Sequence, residues 1–88
     1  MRDLYPQIQR SLIAGKILHC TKVKHQIGKC AVSVGRYQAA VPDTGKAYAL
    51  IINNEAYFHL SAASVARAFI DFVGRDIAKV AWARSVNR

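Results

Sequence analysis

Acidic residues are scarce in this chain. Only five of its 88 residues are Asp or Glu, against 13 Lys and Arg, which gives a formal net charge of +8. General acid–base catalysis commonly needs two carboxylates, or a carboxylate beside a histidine. Three of the acids have simpler local roles, since Asp3 can cap a helix, Asp43 lies in a turn and Asp71 lies on an exposed helix face. We therefore expect a binding protein rather than an enzyme.

Cysteine and glycine are also too few, or too scattered, for several kinds of site. The two cysteines fall short of a disulfide framework. His19, Cys20, His25 and Cys30 are metal-ligand types within twelve residues, but no C-x2-4-C pair is present. We expect no metal and treat both cysteines as small buried residues. The five glycines form no phosphate-binding loop, so no cofactor is expected.

Long apolar runs are missing as well. No run approaches the ~20 apolar residues of a membrane span, and the N-terminal charges are followed by no apolar signal segment. We expect no membrane association and a cytoplasmic location. A hydrophobic content of 52% nevertheless indicates a folded chain, which we interpret as a single domain over residues 1–88.

Periodicity predicts an α+β fold. Apolar residues at helical spacing indicate a helix over residues 3–14. Alternation then predicts a four-strand antiparallel meander, with Gly35 as a bulge and turns at residues 42–45 and at Asn53-Asn54. Ser61 caps a helix that ends at Gly74. The strands are predicted over residues 17–24, 30–41, 46–52 and 55–60.

The C-terminal stretch 77–86 fits either a strand or a helix. Val80 and Trp82 alternate with Lys79 as a strand would, while the alanines favour a helix. We predict a fifth strand added to the sheet. The alternative is a helix-turn-helix over residues 61–86, whose second helix would carry Lys79 and Arg84.

Turn lengths give a predicted register. A two-residue turn pairs Leu50 with Tyr57, and a four-residue turn at 42–45 pairs Tyr37 with Leu50. Under this register an alanine-rich face forms the core beneath helix 61–73. It comprises Ala40, Ala47, Ala49, Ile51, Ala56, Phe58 and Leu60. The opposite face gathers three tyrosines and comprises Tyr37, Val41, Lys46, Tyr48, Leu50, Ile52, Glu55, Tyr57 and His59.

The positive charge is concentrated in the first 36 residues, where seven bases face one acid. A field of one sign attracts polyanions, and tyrosines on an open sheet can stack unpaired bases. We therefore predict a nucleic-acid or nucleoprotein-binding module. The tyrosine face could instead be core, covered by helix 3–14, or a homodimer interface. The predicted binding residues are Lys22, Lys24, Lys29, Arg36, Tyr37, Lys46, Tyr48, Tyr57 and His59.

Two alternatives remain open. The size and basicity suit small inhibitors of phages and mobile elements, of the anti-defence, anti-CRISPR-like class, which bind a host protein complex stoichiometrically. That likeness is an analogy of class. The lesser alternative is a basic, toxin-type ribonuclease using His59 and Tyr57.

Overall fold

The computed structural model describes residues 4–24, 28, 30–37 and 47–86. It confirms an α+β fold with a four-strand antiparallel sheet, an N-terminal helix and a helix after the fourth strand. The strands lie in the order β1-β2-β3-β4. The elements are α1 (Leu4–Ile13), β1 (Leu18–Cys20), β2 (Val32–Arg36), β3 (Tyr48–Ile52), β4 (Glu55–His59), α2 (Ala62–Val73) and α3 (Arg75–Val86).

The β3–β4 hairpin forms in the predicted register. Asn53 and Asn54 have φ angles of 49° and 72°, the left-handed conformation that a two-residue turn of this kind requires and that asparagine tolerates. Leu50 lies opposite Tyr57 and Ile52 opposite Glu55, as predicted. The cap of α2 is also confirmed, because the Ser61 hydroxyl accepts a hydrogen bond from the Ser64 amide at 3.1 Å.

The predicted fifth strand is wrong, since the C-terminal stretch is helix α3. Its small residues Ala78 and Ala81 are buried three positions apart, while Val80, which a strand would have placed with Trp82, is 53% exposed. Alanine favours the helix intrinsically. The Trp82 indole Nε1 donates to the Ser11 Oγ at 3.1 Å and so fixes α3 against α1.

The two-helix alternative for residues 61–86 therefore matches the backbone better than the strand. Only Gly74 separates α2 from α3, however, and its φ of 96° is a conformation that other residues rarely adopt. A helix-turn-helix joins its helices through a turn of three or four residues. The connection here is shorter than that.

The predicted β2–β3 register is wrong by three residues. Leu50 lies opposite Val34, and Tyr48 opposite Arg36. A shift by an odd number transfers each side chain to the other face of the sheet. The ladder ends where the Tyr37 amide donates to the Ala47 carbonyl at 2.8 Å. The predicted turn at 42–45 lies outside the described residues.

The buried face is consequently the one that was expected to carry the tyrosines. Its strand residues join apolar side chains of all three helices in one cluster around Phe69, which is fully buried. Helix α2 contacts β2, β3 and β4. It therefore covers the face that carries Val34 and Leu50, and not the alanine-rich face. The strand members of the cluster are Leu18, Cys20, Val32, Val34 and Leu50. Among the predicted core residues, Leu60 is 65% exposed and Ala40 lies outside the described residues.

Strand β1 is shorter than the predicted strand 17–24. After Cys20 the chain turns inward: Val23 is buried, and the Lys24 amide donates to the Val73 carbonyl at 2.9 Å. That bond attaches the end of this segment to the junction of α2 and α3. Within the described residues, no helix is both long and apolar enough to cross a membrane.

Gly35 is not a bulge, because the β2–β3 register continues through Gly35 opposite Ala49. The glycine is needed for a close approach across the sheet. A Cβ at position 35 would lie 2.8 Å from the Ile17 Cγ1 and 3.4 Å from its Cα. Ile17 therefore lies directly over the β2 backbone.

We expect Gly35→Ala to lower the free energy of unfolding by about 1–3 kcal/mol, the usual range for a forced steric overlap. Urea denaturation measures the change. Ile17→Ala alone should cost little because Ile17 is 52% exposed, and it should restore most of the loss when combined with Gly35→Ala. Equal losses in the single Gly35→Ala and double variants would show that the overlap with Ile17 is not the cause.

Candidate functional site

The predicted binding residues are spread across the sheet, from one edge to the other. Lys22 and Lys24 follow β1, whereas Tyr57 and His59 lie on β4. Three strand spacings of about 4.8 Å separate these edges, or roughly 14 Å. Lys29 and Lys46 lie outside the described residues. The structure therefore does not bring the lysines and tyrosines into one site.

The three tyrosines do not share a surface. Tyr48 is half-buried against the core cluster. Tyr37 lies opposite the Ala47 position, which places it on the other face of the sheet from Tyr48. Burial raises the pKa of the Tyr37 phenol. A flat stacking platform made of these rings is not present.

The residues at the β4 edge are engaged with their neighbours. The Tyr57 hydroxyl donates to the Glu55 Oε2 at 2.6 Å, and this bond raises the pKa of Tyr57. The His59 Nδ1 lies 2.7 Å from the Ser64 Oγ in the first turn of α2. Arg36 is exposed at the end of β2, opposite Tyr48, and is therefore separated from this edge by β3. The β4 edge carries a carboxylate and an imidazole, both of which make contacts within the chain.

A different concave surface lies at the β1 edge, where α3 runs beside the strand. Two adjoining hollows of about 480 and 330 Å³ are lined in common by His19, Ala81 and Arg84. We call this surface the β1–α3 groove. Among the described residues, its lining comprises Lys16, Ile17, His19, Cys20, Thr21, Lys22, Asp76, Ile77, Val80, Ala81, Arg84 and Ser85.

The β1–α3 groove carries an excess of positive charge. Lys16, Lys22 and Arg84 line it, and Asp76 is the only acid among the described lining residues. The Lys16 Nζ donates to the Ser85 carbonyl at 3.2 Å, which holds this ammonium across the groove at the end of α3. Since the chain as a whole carries +8, this potential is not cancelled by its surroundings.

Local sequence explains why α3 lies beside β1. Gly74 reverses the chain after α2, and the Lys24 Cβ lies only 3.0 Å from where a Cβ at position 74 would be. The buried small residues Ala78 and Ala81 allow α3 to approach the strand closely. Since Ile77, Ala81 and Arg84 recur at helical spacing, all three contribute to the same wall of the groove.

Histidine 19 lies at the centre of the groove, where the two hollows meet. Its Nδ1 is 3.0 Å from the Ser33 Oγ on the neighbouring strand. A nucleophile or general base usually has a third group that orients it, most often a carboxylate. Here the orienting group is a hydroxyl, so the arrangement suits hydrogen bonding to a ligand better than proton transfer.

Sequence reasoning identified Lys22 but missed Lys16, His19 and Arg84 as a group. The signal was present in the helical alternative for residues 77–86, which places Arg84 on a helix. A strand over residues 77–86, as predicted, would not have formed the wall of the groove that α3 provides. The position of β1 at the sheet edge completes the site.

The cysteines behave as the sequence predicts. Cys20 and Cys30 are both buried free thiols. Burial raises the pKa of Cys20, and the nearby Cys30 adds to this effect. Within the ranges that the structure describes, no three metal-ligand side chains are grouped so as to hold an ion.

Both thiols should therefore react slowly with a disulfide reagent. At about pH 8 we expect the native protein to react roughly tenfold or more slowly than the protein in concentrated guanidinium chloride, because burial shields both sulfurs from the reagent and the raised pKa of Cys20 leaves less thiolate at that residue. Absorbance of the released chromophore measures the rate. Rapid labelling of the native protein at the denatured rate would contradict the burial of these residues.

Comparisons with known proteins give no family for this chain. No protein-family model matches it, no curated protein matches it significantly, and neither does any solved structure.

Proposed function

We propose that this protein binds nucleic acid through the β1–α3 groove. The observation that carries the proposal is the charge of the lining, in which Lys16, Lys22 and Arg84 are opposed by Asp76 alone. Lysine and arginine neutralise phosphates and release their condensed counterions, which is the main source of sequence-independent affinity. A basic cleft also speeds the approach of a polyanion.

The distribution of the cations favours an extended polyanion over a single small anion. Lys16 and Lys22 lie on either side of β1, and Arg84 lies on α3. The three cations are therefore spread over both walls of the groove and do not come from a single turn or loop. Separate cations along a cleft suit repeated phosphates, whereas one anion would need converging donors.

The uncharged residues of the lining indicate whether the groove would contact the bases or only the backbone of a nucleic acid. Ile17 and Val80 are each about half exposed, at 52% and 53%. Among the described residues the lining contains no Phe, Tyr or Trp, and its one aromatic ring is the His19 imidazole. Phosphate contacts position a nucleic acid without reading its sequence. The proposal is therefore a backbone-binding module with weak sequence preference, acting in the cytoplasm and without a catalytic step.

A second candidate is an inhibitor that docks on an acidic protein surface. The same cations could pair with carboxylates, and the exposed Val80 beside Arg84 would supply an apolar contact at the centre of such an interface. This protein would bind its target stoichiometrically and bind naked nucleic acid only as weakly as its charge dictates.

Salt dependence tests the first proposal. Three phosphate contacts predict that affinity for a labelled oligonucleotide falls roughly 20- to 40-fold between about 50 and 200 mM salt, with the larger value for duplex. Fluorescence anisotropy measures the binding of single-stranded and duplex DNA and RNA. Binding that is undetectable for all four ligands at the lower salt would contradict the proposal and direct attention to a protein target.

A matched pair of substitutions on α3 tests the site itself. Arg84 lines the groove, whereas Lys79 on the same helix does not. We expect Arg84→Gln to weaken binding roughly fivefold at low salt and to reduce the salt slope by about 1. Lys79→Gln removes the same charge and should change affinity less than about twofold. Equal effects of both substitutions would show that net charge, and not the groove, determines binding.

A further inference from the structure

The sheet edge opposite the β1–α3 groove lacks several of the features that commonly prevent an edge strand from pairing with another chain. Strand β4 is the last strand of the sheet, and its first three residues are exposed. Edge strands are commonly protected from pairing with another chain by lysine, proline or a bulge. The β4 sequence, Glu-Ala-Tyr-Phe-His, contains neither lysine nor proline, and its ladder with β3 runs without a bulge.

The hairpin geometry determines which backbone groups face outward. In a two-residue hairpin the residues that flank the turn, here Ile52 and Glu55, form a hydrogen-bonded pair, and such pairs then alternate along the ladder. Glu55, Tyr57 and His59 therefore direct their backbone groups toward β3. The amides and carbonyls of Ala56 and Phe58 point away from β3, toward an edge at which the described residues form no further strand.

A second copy of the strand can satisfy these outward groups in one full-length register. In an antiparallel pair related by a twofold axis at Tyr57, Ala56 of each copy pairs with Phe58 of the other copy. Registers centred on Ala56 or on Phe58 also pair outward groups, but each leaves part of the five-residue strand unpaired. The axis at Tyr57 is the one that overlaps the whole of β4.

The side chains match in the same register. Glu55 of one copy lies opposite His59 of the other, so a carboxylate faces an imidazole at both ends of the strand pair. On the other face of the sheet, the small Ala56 lies opposite the large Phe58. Tyr57 lies at the axis and is 46% exposed. Cross-strand side-chain pairs contribute to the stability of antiparallel sheets, and the Glu55 carboxylate can accept a hydrogen bond from an imidazole N–H.

We propose that β4 is a homodimer interface, at which two copies of this chain form a continuous eight-strand antiparallel sheet. The twofold axis is perpendicular to the sheet, so the helices of both copies lie on the same side. The strand carries Glu55 and no Lys or Arg, which makes it a poor surface for a polyanion. The interface lies at the other edge from the β1–α3 groove and does not depend on what the groove binds.

Cysteine cross-linking tests the register. Tyr57→Cys places two thiols at the axis, in a non-hydrogen-bonded pair with Cα atoms about 4.5 Å apart, which is within the range of a disulfide. Leu60→Cys is the control. Leu60 is 65% exposed and lies beyond the end of β4, outside the proposed strand pairs, and its two thiols would be more than about 14 Å apart along the strands.

We expect Tyr57→Cys to form a covalent dimer under mild oxidation roughly ten times faster than Leu60→Cys, or more, as read on a non-reducing gel. The parent chain, which has only buried thiols, should form none. Equal rates for the two variants would overturn the proposal, since they would indicate random collision.

Sedimentation equilibrium of the parent chain gives a measurement free of substitutions. We expect a concentration-dependent mass between monomer and dimer. A monomer mass at every concentration overturns the proposal. So does a parent dimer combined with slow Tyr57→Cys cross-linking, because the dimer then uses another surface.

Discussion

Burial of a single sheet face beneath all three helices is the constraint on which the rest of this structure depends. Side chains on a strand alternate between the two faces of the sheet. The face on which Val34 and Leu50 lie therefore determines the face of all the remaining strand residues. Once these residues are buried, the helices must lie on their side. The two edges of the sheet, β1 and β4, are then left to form different surfaces.

The β1 edge acquires its character from α3. Because a single glycine joins α2 to α3, α3 begins close to the end of α2 and lies along the nearest edge of the sheet, which is β1. The cations at this edge come from three separate stretches of sequence, at Lys16, Lys22 and Arg84. The packing of α3 beside β1 thus brings these cations together. The concentration of bases in the first 36 residues accounts for Lys16 and Lys22 but not for Arg84.

The parts of the fold that could be predicted from sequence are those determined locally. Helices α1 and α2 follow from apolar spacing and the Ser61 cap, and the β3–β4 register follows from a two-residue turn at Asn53-Asn54. The β2–β3 register could not be predicted because its turn signal at 42–45 implied a shorter connection than the ladder has. Nor could α3, whose decisive contact joins Trp82 to Ser11. Of the groove, composition alone identified Lys22; the remaining cations required the position of α3.

The contact between α1 and α3 also has a consequence for the order of folding. The four strands pair in sequence as neighbours, so each pairing brings together residues that are close along the chain. Ser11 and Trp82 are 71 residues apart, and the entropic cost of closing a loop grows by about 0.6 kcal/mol with each doubling of its length. Contacts of large sequence separation form slowly unless the intervening chain is already folded. We therefore expect the sheet to form before the contact between α1 and α3, so that the groove acquires the wall formed by α3 late in folding.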